Sequence, residues 1–271
     1  MKYKAVVLDM DGTLLNSKLE IDVRTAEVLK KFRSIGGKVY IATGRTYLSL
    51  KPYYDILALD TPVIAYNGAK VVSCLGETVF EYPMGCDLVK YFIDLSRRTG
   101  IHLNLYQNEK WLVEDPFNKE SEIYEEISGL SPEESDFENL EEYFSTKVLF
   151  ISEKERLDEL REEIILELDG QVHVTASKPF FLEVMKKGVN KGDTLKKLME
   201  SEGISLDEVI AFGDGLNDME MIKAAGLGVA MGNSYEELKE AADLITGDND
   251  SNGIAEVMTN LFDQRCLIGL E

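Results

Sequence analysis

Cysteine, histidine and positive charge are scarce in this 271-residue sequence, and each shortage closes off a class of chemistry. The three cysteines, Cys74, Cys86 and Cys266, are an odd number, lie far apart and form no CxxC pair. They specify neither a disulfide framework nor a zinc site. The two histidines, His102 and His173, show no HExxH or other ligand spacing, so imidazole chemistry is a poor prospect. No apolar run approaches the roughly 20 residues that a membrane span needs. Lys and Arg number 29 against 50 Asp and Glu, a formal net charge of -21. That balance disfavours nucleic acid and anionic lipid as partners, and it requires any anionic ligand to sit in a locally positive site. The strand pattern starts within the first few residues, leaving no room for a signal peptide, so a cytoplasmic protein is expected.

What is present is an ordinary globular composition, 44% hydrophobic and 29% charged, in a chain long enough for one large domain or two. Residues 5–82 alternate between strand and helix. A strand runs over 6–9, and "DVRTAEVLKKFRSIG" has helical apolar spacing at Val23, Ala26, Leu29 and Phe32 with a stop at Gly36. "KVYIATG" and "PVIAYNGA" read as the second and third strands. This rhythm predicts a parallel sheet with helices on its faces. From about Pro83 it changes: a helix over 88–98, a hairpin in "HLNLYQNEKWLVE", a solvated acidic helix face and loop in "SPEESDFENLEEYF", strand "KVLFIS", a helix over 153–168, and strands "QVHVTAS" and "FFLEVM". Helix and paired strands recurring twice predict an α+β module with an open antiparallel sheet. After "KKGVNKG" the first rhythm returns. The predicted fold is therefore α/β, a Rossmann-like parallel-sheet core of residues 1–82 and 188–271 interrupted by an inserted α+β module, 83–187.

In open parallel sheets, ligands sit outside the carboxyl ends of the strands, and four such places carry unusual polar residues. The first is "LDMDGT": Asp9 and Asp11 follow an apolar strand one residue apart, where like charges repel. Alone, "DG" is a common turn signal. As a pair, one carboxylate can attack phosphorus and bind a metal while the other moves a proton, and a hard divalent cation relieves their repulsion. The second is "ATGR", where the Thr43 hydroxyl and the open backbone at Gly44 suit a phosphoryl oxygen, or a plain helix cap. Arg45 is either a surface charge or an anion contact. The third is Lys191, a cation in the first turn of a helix and so against the macrodipole, best explained by an anion held between its ammonium and the helix start. The fourth is "GDGLND", where Asp214 is a candidate metal ligand and Asp218 stands behind it, positioning Lys191 or metal-bound water. Taken singly, the Asp, Thr, Gly and Asn residues are accounted for by turn formation and helix capping, and most lysines are merely solvated.

Taken in order, "LDMDGTLL", "ATGR", "NKG" and "GDGLND" resemble the four motifs of the haloacid dehalogenase superfamily. The module of roughly a hundred residues between Thr43 and Lys191 resembles the large αβ cap of the Cof-type subgroup, class IIB. The resemblance implies a Mg2+-dependent phosphatase of small phosphate esters, sugar phosphates being the default. It implies Asp9 as the nucleophile that forms an aspartyl-phosphate and Asp11 as the acid and base. It also implies phosphate contacts from the Met10 and Gly44 amides, Thr43, Lys191 and Asn217, and Mg2+ held by Asp9, Asp214 and the Asp11 carbonyl. In relatives acting as dehalogenases or phosphonatases the second Asp is replaced, so Asp11 favours phosphoryl transfer.

Other readings remain open. "GLGVAMG" has the wrong spacing for a dinucleotide fingerprint, and neither a GxxxxGK[ST] loop nor a GxSxG elbow occurs. A phosphomutase would share the same motifs, and a non-catalytic phosphometabolite-binding protein would need no paired nucleophile and acid. Lys178 and Lys186 are candidate leaving-group contacts in the module. Trp111 and Tyr106 either line its substrate face or pack in a core or surface patch, packing being favoured. Linkers at 82–85 and 186–190 would let the module close as a lid.

Overall fold

A computed structural model describes residues 2–168 and 170–263. Cys74 and Cys86 are free and exposed, and Cys266 lies outside the described residues. The centre is a five-stranded parallel sheet in the order Leu244–Ile245, Leu227–Ala230, Val209–Gly213, Ala5–Leu8, Lys38–Ile41. Alternation of side chains decides what covers each face. Val6, Leu8, Ile210 and Phe212 point into one cluster with Leu29, Phe32, Val257 and Met258, from helices Val23–Ser34 and Gly253–Asp263. Ala5, Val7, Val209 and Ala211 point into another with Leu195, Leu198, Met221 and Leu238, from helices Lys191–Glu202, Met219–Ala224 and Glu236–Ala241. Burial on both faces is why the central strands read as unbroken apolar runs.

The third strand departs from expectation. Val63–Ala65 touches the parallel sheet through a single bridge, Ala42 to Ile64, and otherwise pairs antiparallel with Lys70–Val72, which pairs in turn with Thr78–Glu81. The reversal is made by Tyr66 and Asn67, both at positive φ (50° and 53°), followed by Gly68. Two successive left-handed residues turn the chain back before a crossover helix can form.

The six-stranded sheet runs Val172–Thr175, Phe181–Lys186, Val148–Ile151, His102–Gln107, Lys110–Val113, Glu133–Glu134. It is antiparallel as expected except at its edge, where Glu133–Glu134 lies parallel to Lys110–Val113. That edge strand falls in the acidic stretch expected as helix face and loop; a polar two-residue strand leaves no apolar alternation to read. Helices Cys86–Thr99 and Lys154–Leu168 cover one face, against Leu103, Leu105, Phe150 and Val184. The opposite face, with Tyr106, Leu149, Phe181 and Met185, joins the cluster that runs beneath the parallel sheet. Trp111 and Tyr106 are buried there, Trp111 edge-on to Tyr124 at 4.8 Å, as packing residues.

Candidate active site

Asp9 and Asp214 follow directly on two adjacent parallel strands and Thr43 comes two residues after the next one, so the sheet brings them to one edge. Lys191 arrives from below, as the first residue of helix Lys191–Glu202, whose N-cap Asn190 accepts from the Asp193 amide. Its side chain is fully buried, with Nζ 2.6 Å from Asp9 Oδ1 and 2.6 Å from Asp218 Oδ1. The expected anion beside this misplaced cation is thus supplied by two carboxylates of the protein. The second oxygen of Asp218 accepts from the Asp214 and Gly215 amides, both at 3.0 Å. Asp218 thereby fixes both Lys191 and the turn that carries Asp214.

Asp214 is steadied by the Thr13 hydroxyl, donating to Oδ1 at 2.9 Å, and by Asn233, whose Nδ2 lies 3.4 Å from Asp214 Oδ2 while it donates to the Gly12 carbonyl at 2.8 Å. Gly12 sits at φ +83°, and a Cβ there would collide with the Asp214 carboxylate. The backbone of the 9–13 turn can lie against Asp214 only because this residue is glycine.

Arg45 is not a surface charge. It forks onto Asp11, and its side chain is only 9% exposed. Asn217 donates to Asn67 Oδ1 at 2.9 Å, and Asn67 is itself buried. The Met10 side chain lies in the core, so only its backbone is available to a ligand. Asp9, Asp11, Thr43, Gly44, Arg45 and Asp214 line one cleft of ≈ 560 Å³, part of it open to solvent. From the six-stranded side Lys178 also lines it, whereas Lys186 is exposed elsewhere. Sequence reasoning missed Thr13, Asn67, Lys147 and Glu183. The last two are charged residues in apolar strand segments, which is the signal that would have found them.

Three carboxylates facing one ammonium leave the site under-neutralised. Burial, and then the Asp218 charge, push the Asp9 carboxyl well above its ordinary value, with Lys191 opposing. Burial and Asp218 likewise push Asp214 up to about 7. Burial also works against ionisation of Asp11, but the hydrogen bonds and charge of Arg45 prevail and hold it below its ordinary value. Asp9, Asp214 and Asp218 each bring one oxygen within 4.8 Å of the others. An all-carboxylate set of this kind fits a hard divalent cation. Asp218 already accepts from Lys191 and from two backbone amides, so Asp9 and Asp214, which accept fewer hydrogen bonds, are the better-placed donors.

Residues 6–258 match the family model of haloacid dehalogenase-like hydrolases. A pyridoxal phosphate phosphatase of Escherichia coli is 30% identical, the match covering 94% of this chain and 97% of the relative. A haloacid dehalogenase-like hydrolase from Bacteroides thetaiotaomicron superposes with a TM-score of 0.85 at 32% identity, covering 96% of this chain and 100% of that one. A subclass IIB sugar phosphatase superposes at 0.84 with 27% identity, covering 96% and 99%. The chain belongs to the haloacid dehalogenase-like hydrolases, in the Cof-type, subclass IIB group. It is a phosphoric monoester hydrolase of that family.

Proposed function

We propose that this hydrolase is a Mg2+-dependent phosphatase of small phosphorylated metabolites, sugar phosphates foremost, working through an aspartyl-phosphate on Asp9. The observation that carries this reading is the pairing of Asp9, held 2.6 Å from the buried Lys191, with Asp11, gripped by Arg45, on a single cleft. A phosphate monoester carries about two negative charges, so a carboxylate attacks it only where cations offset the repulsion. Lys191 and Arg45 supply two. Asp9, Asp214 and the Asp11 carbonyl would hold Mg2+, which when bound adds positive charge beside the phosphoryl oxygens. Thr43, Asn217 and the Met10 and Gly44 amides would bind the remaining oxygens.

Asp9 attacks phosphorus as the ester oxygen leaves, and Asp11 protonates that oxygen. The Arg45 fork favours the ionised Asp11, so the proton must be taken up as Arg45 turns from Asp11 to the incoming phosphoryl group. Asp11 then removes a proton from water, which hydrolyses the acyl phosphate and frees Asp9. Residues 83–187 would act as a cap over a core of 1–82 and 188–271, with hinges at 82–85 and 186–190. The pyridoxal phosphate and sugar phosphate activities of similar proteins support a small-metabolite substrate. The test is phosphate release from a panel of sugar phosphates, nucleotides and an aryl phosphate with Mg2+, for the parent and Asp9→Asn. Metal-dependent release abolished by Asp9→Asn is expected; no release from any ester by the parent overturns the proposal.

A further inference from the structure

Outside the motif residues, one buried ion pair reaches into the proposed phosphoryl site. Lys147 and Glu183 have side chains only 2% and 3% exposed, with Nζ 2.8 Å from Oε1. Each lies on the face of the six-stranded sheet that looks toward the parallel sheet. Phe181 and Met185 point that way while Leu182 and Val184 point into the helical side, and Leu149 alternates likewise with Val148 and Phe150. Burial works against both charges, yet Glu183 keeps Lys147 protonated and Lys147 keeps Glu183 ionised.

The Lys147 ammonium also donates to the Gly44 carbonyl at 2.9 Å. That contact completes a pattern. The three carbonyls of the 43–45 loop are all tied: Thr43 O by the Asn67 amide at 2.9 Å, Arg45 O by the Tyr66 amide at 3.0 Å, and Gly44 O by Lys147. The first two ties come from the adjoining left-handed turn. Only the third comes from the other sheet. Because a peptide unit is planar, its N–H points opposite to its C=O. With Gly44 O held by Lys147, the Arg45 amide of the same peptide unit is aimed the opposite way, where it donates to the Thr43 hydroxyl at 3.1 Å. It also sets the start of the Arg45 side chain that grips Asp11. A buried ion pair gives little net stability relative to an apolar pair, so stability alone does not account for one here.

We propose that Lys147, neutralised by Glu183, is a positioning residue that locks the 43–45 loop from the opposite sheet. The inference rests on the reading that this loop binds the transferred phosphoryl group. It ties that geometry to contact between the two sheets: the loop is held in its binding conformation only while Lys147 sits on Gly44 O. The effect is on the phosphoryl group and is independent of the alcohol being released.

Replacing Lys147 alone would strand a buried carboxylate, so the deciding variant is the double one, Lys147→Met with Glu183→Leu, which leaves an apolar pair of similar size. Three quantities are measured for it and the parent: melting temperature, kcat/KM for an aryl phosphate and a sugar phosphate, and the inhibition constant for inorganic phosphate. The expected result is near-parental melting with kcat/KM lowered at least about tenfold for both esters, and the phosphate inhibition constant raised by a similar factor. Should the double variant not fold, Lys147→Met with Glu183→Gln takes its place with the same readouts. Kinetics within about twofold of the parent overturn the inference while the phosphatase reading stands. So does a loss confined to the sugar phosphate, which would make the pair a leaving-group contact. A parent that neither hydrolyses the aryl ester nor binds inorganic phosphate overturns the phosphatase reading itself, and this inference with it.

Discussion

Arg45 holds both oxygens of Asp11, through Nε and one terminal nitrogen at 2.7 Å each, while its guanidinium lies 5.3 Å from the centre of the Tyr53 ring. The planar fork matches a carboxylate, and it matches two oxygens of a phosphoryl group equally well. The same side chain can therefore keep Asp11 ionised before substrate arrives and bind substrate afterwards. The Asp11 carboxyl is 27% exposed, so the incoming group has access to the pair it must part.

Arg45→Ala is expected to raise KM for every phosphate ester by about ten- to a hundredfold, the equivalent of one charged hydrogen bond of roughly 1.5–3 kcal/mol. It should also move the high-pH limb of kcat/KM upward, because in the free enzyme Asp11 loses the partner that favours its ionised form. Steady-state kinetics from about pH 5 to 9 read both effects. An unchanged KM would reduce Arg45 to a structural counterion.

Gly12 gives a second handle, one that leaves every charged group in place. Gly12→Ala forces a Cβ into the Asp214 carboxylate at a backbone angle of +83°, so the strain falls on a proposed metal donor. The expected outcome is a Mg2+ requirement shifted to at least about tenfold higher concentration, with activity partly restored at saturating metal. A metal titration of kcat/KM decides it, and a parental titration curve would show that Asp214 is not held by this contact.

Much of the site was legible because its residues stand where the pattern breaks. Asp9, Thr43 and Asp214 each stand just past the end of an apolar strand, and Lys191 opposes the dipole of its own helix. Arg45 left two readings, since nothing in "ATGR" shows that it reaches back to residue 11. Asn67, Lys147 and Glu183 were missed for a related reason. They sit inside or beside apolar segments, and their meaning depends on the register that brings residue 183 beside 149, and on the turn that lays residue 67 against the loop at 43. The same limit applied to Val63–Ala65: its composition specified a strand, but the left-handed pair at Tyr66 and Asn67 decided which sheet it joined.

As a proposed metal donor, Asp214 would link metal binding to pH and stability. Its carboxyl is pushed up to about 7 from 3.8, chiefly by burial, so the native state binds this proton more tightly than the unfolded chain does. The sign follows: the folded state loses stability as pH rises from the lower value toward the higher one, and changes little beyond it. A divalent cation favours the ionised form and should cancel that loss. Protein treated with a chelator is thus expected to melt several degrees lower at about pH 8 than at about pH 5, at roughly 2–4 °C per kcal/mol for a chain of this size. Added Mg2+ should raise the melting temperature more at the higher pH, where Asp214 no longer has to release a proton to bind it. Asp214→Asn should flatten the pH slope, leaving the share that Asp9 contributes, should remove most of the Mg2+ increment, and should raise the chelated protein's melting temperature at pH 8. A melting temperature that climbs with pH in the chelated parent would mean that the site is neutralised by some other group, and would remove Asp214 as the residue that couples metal to proton.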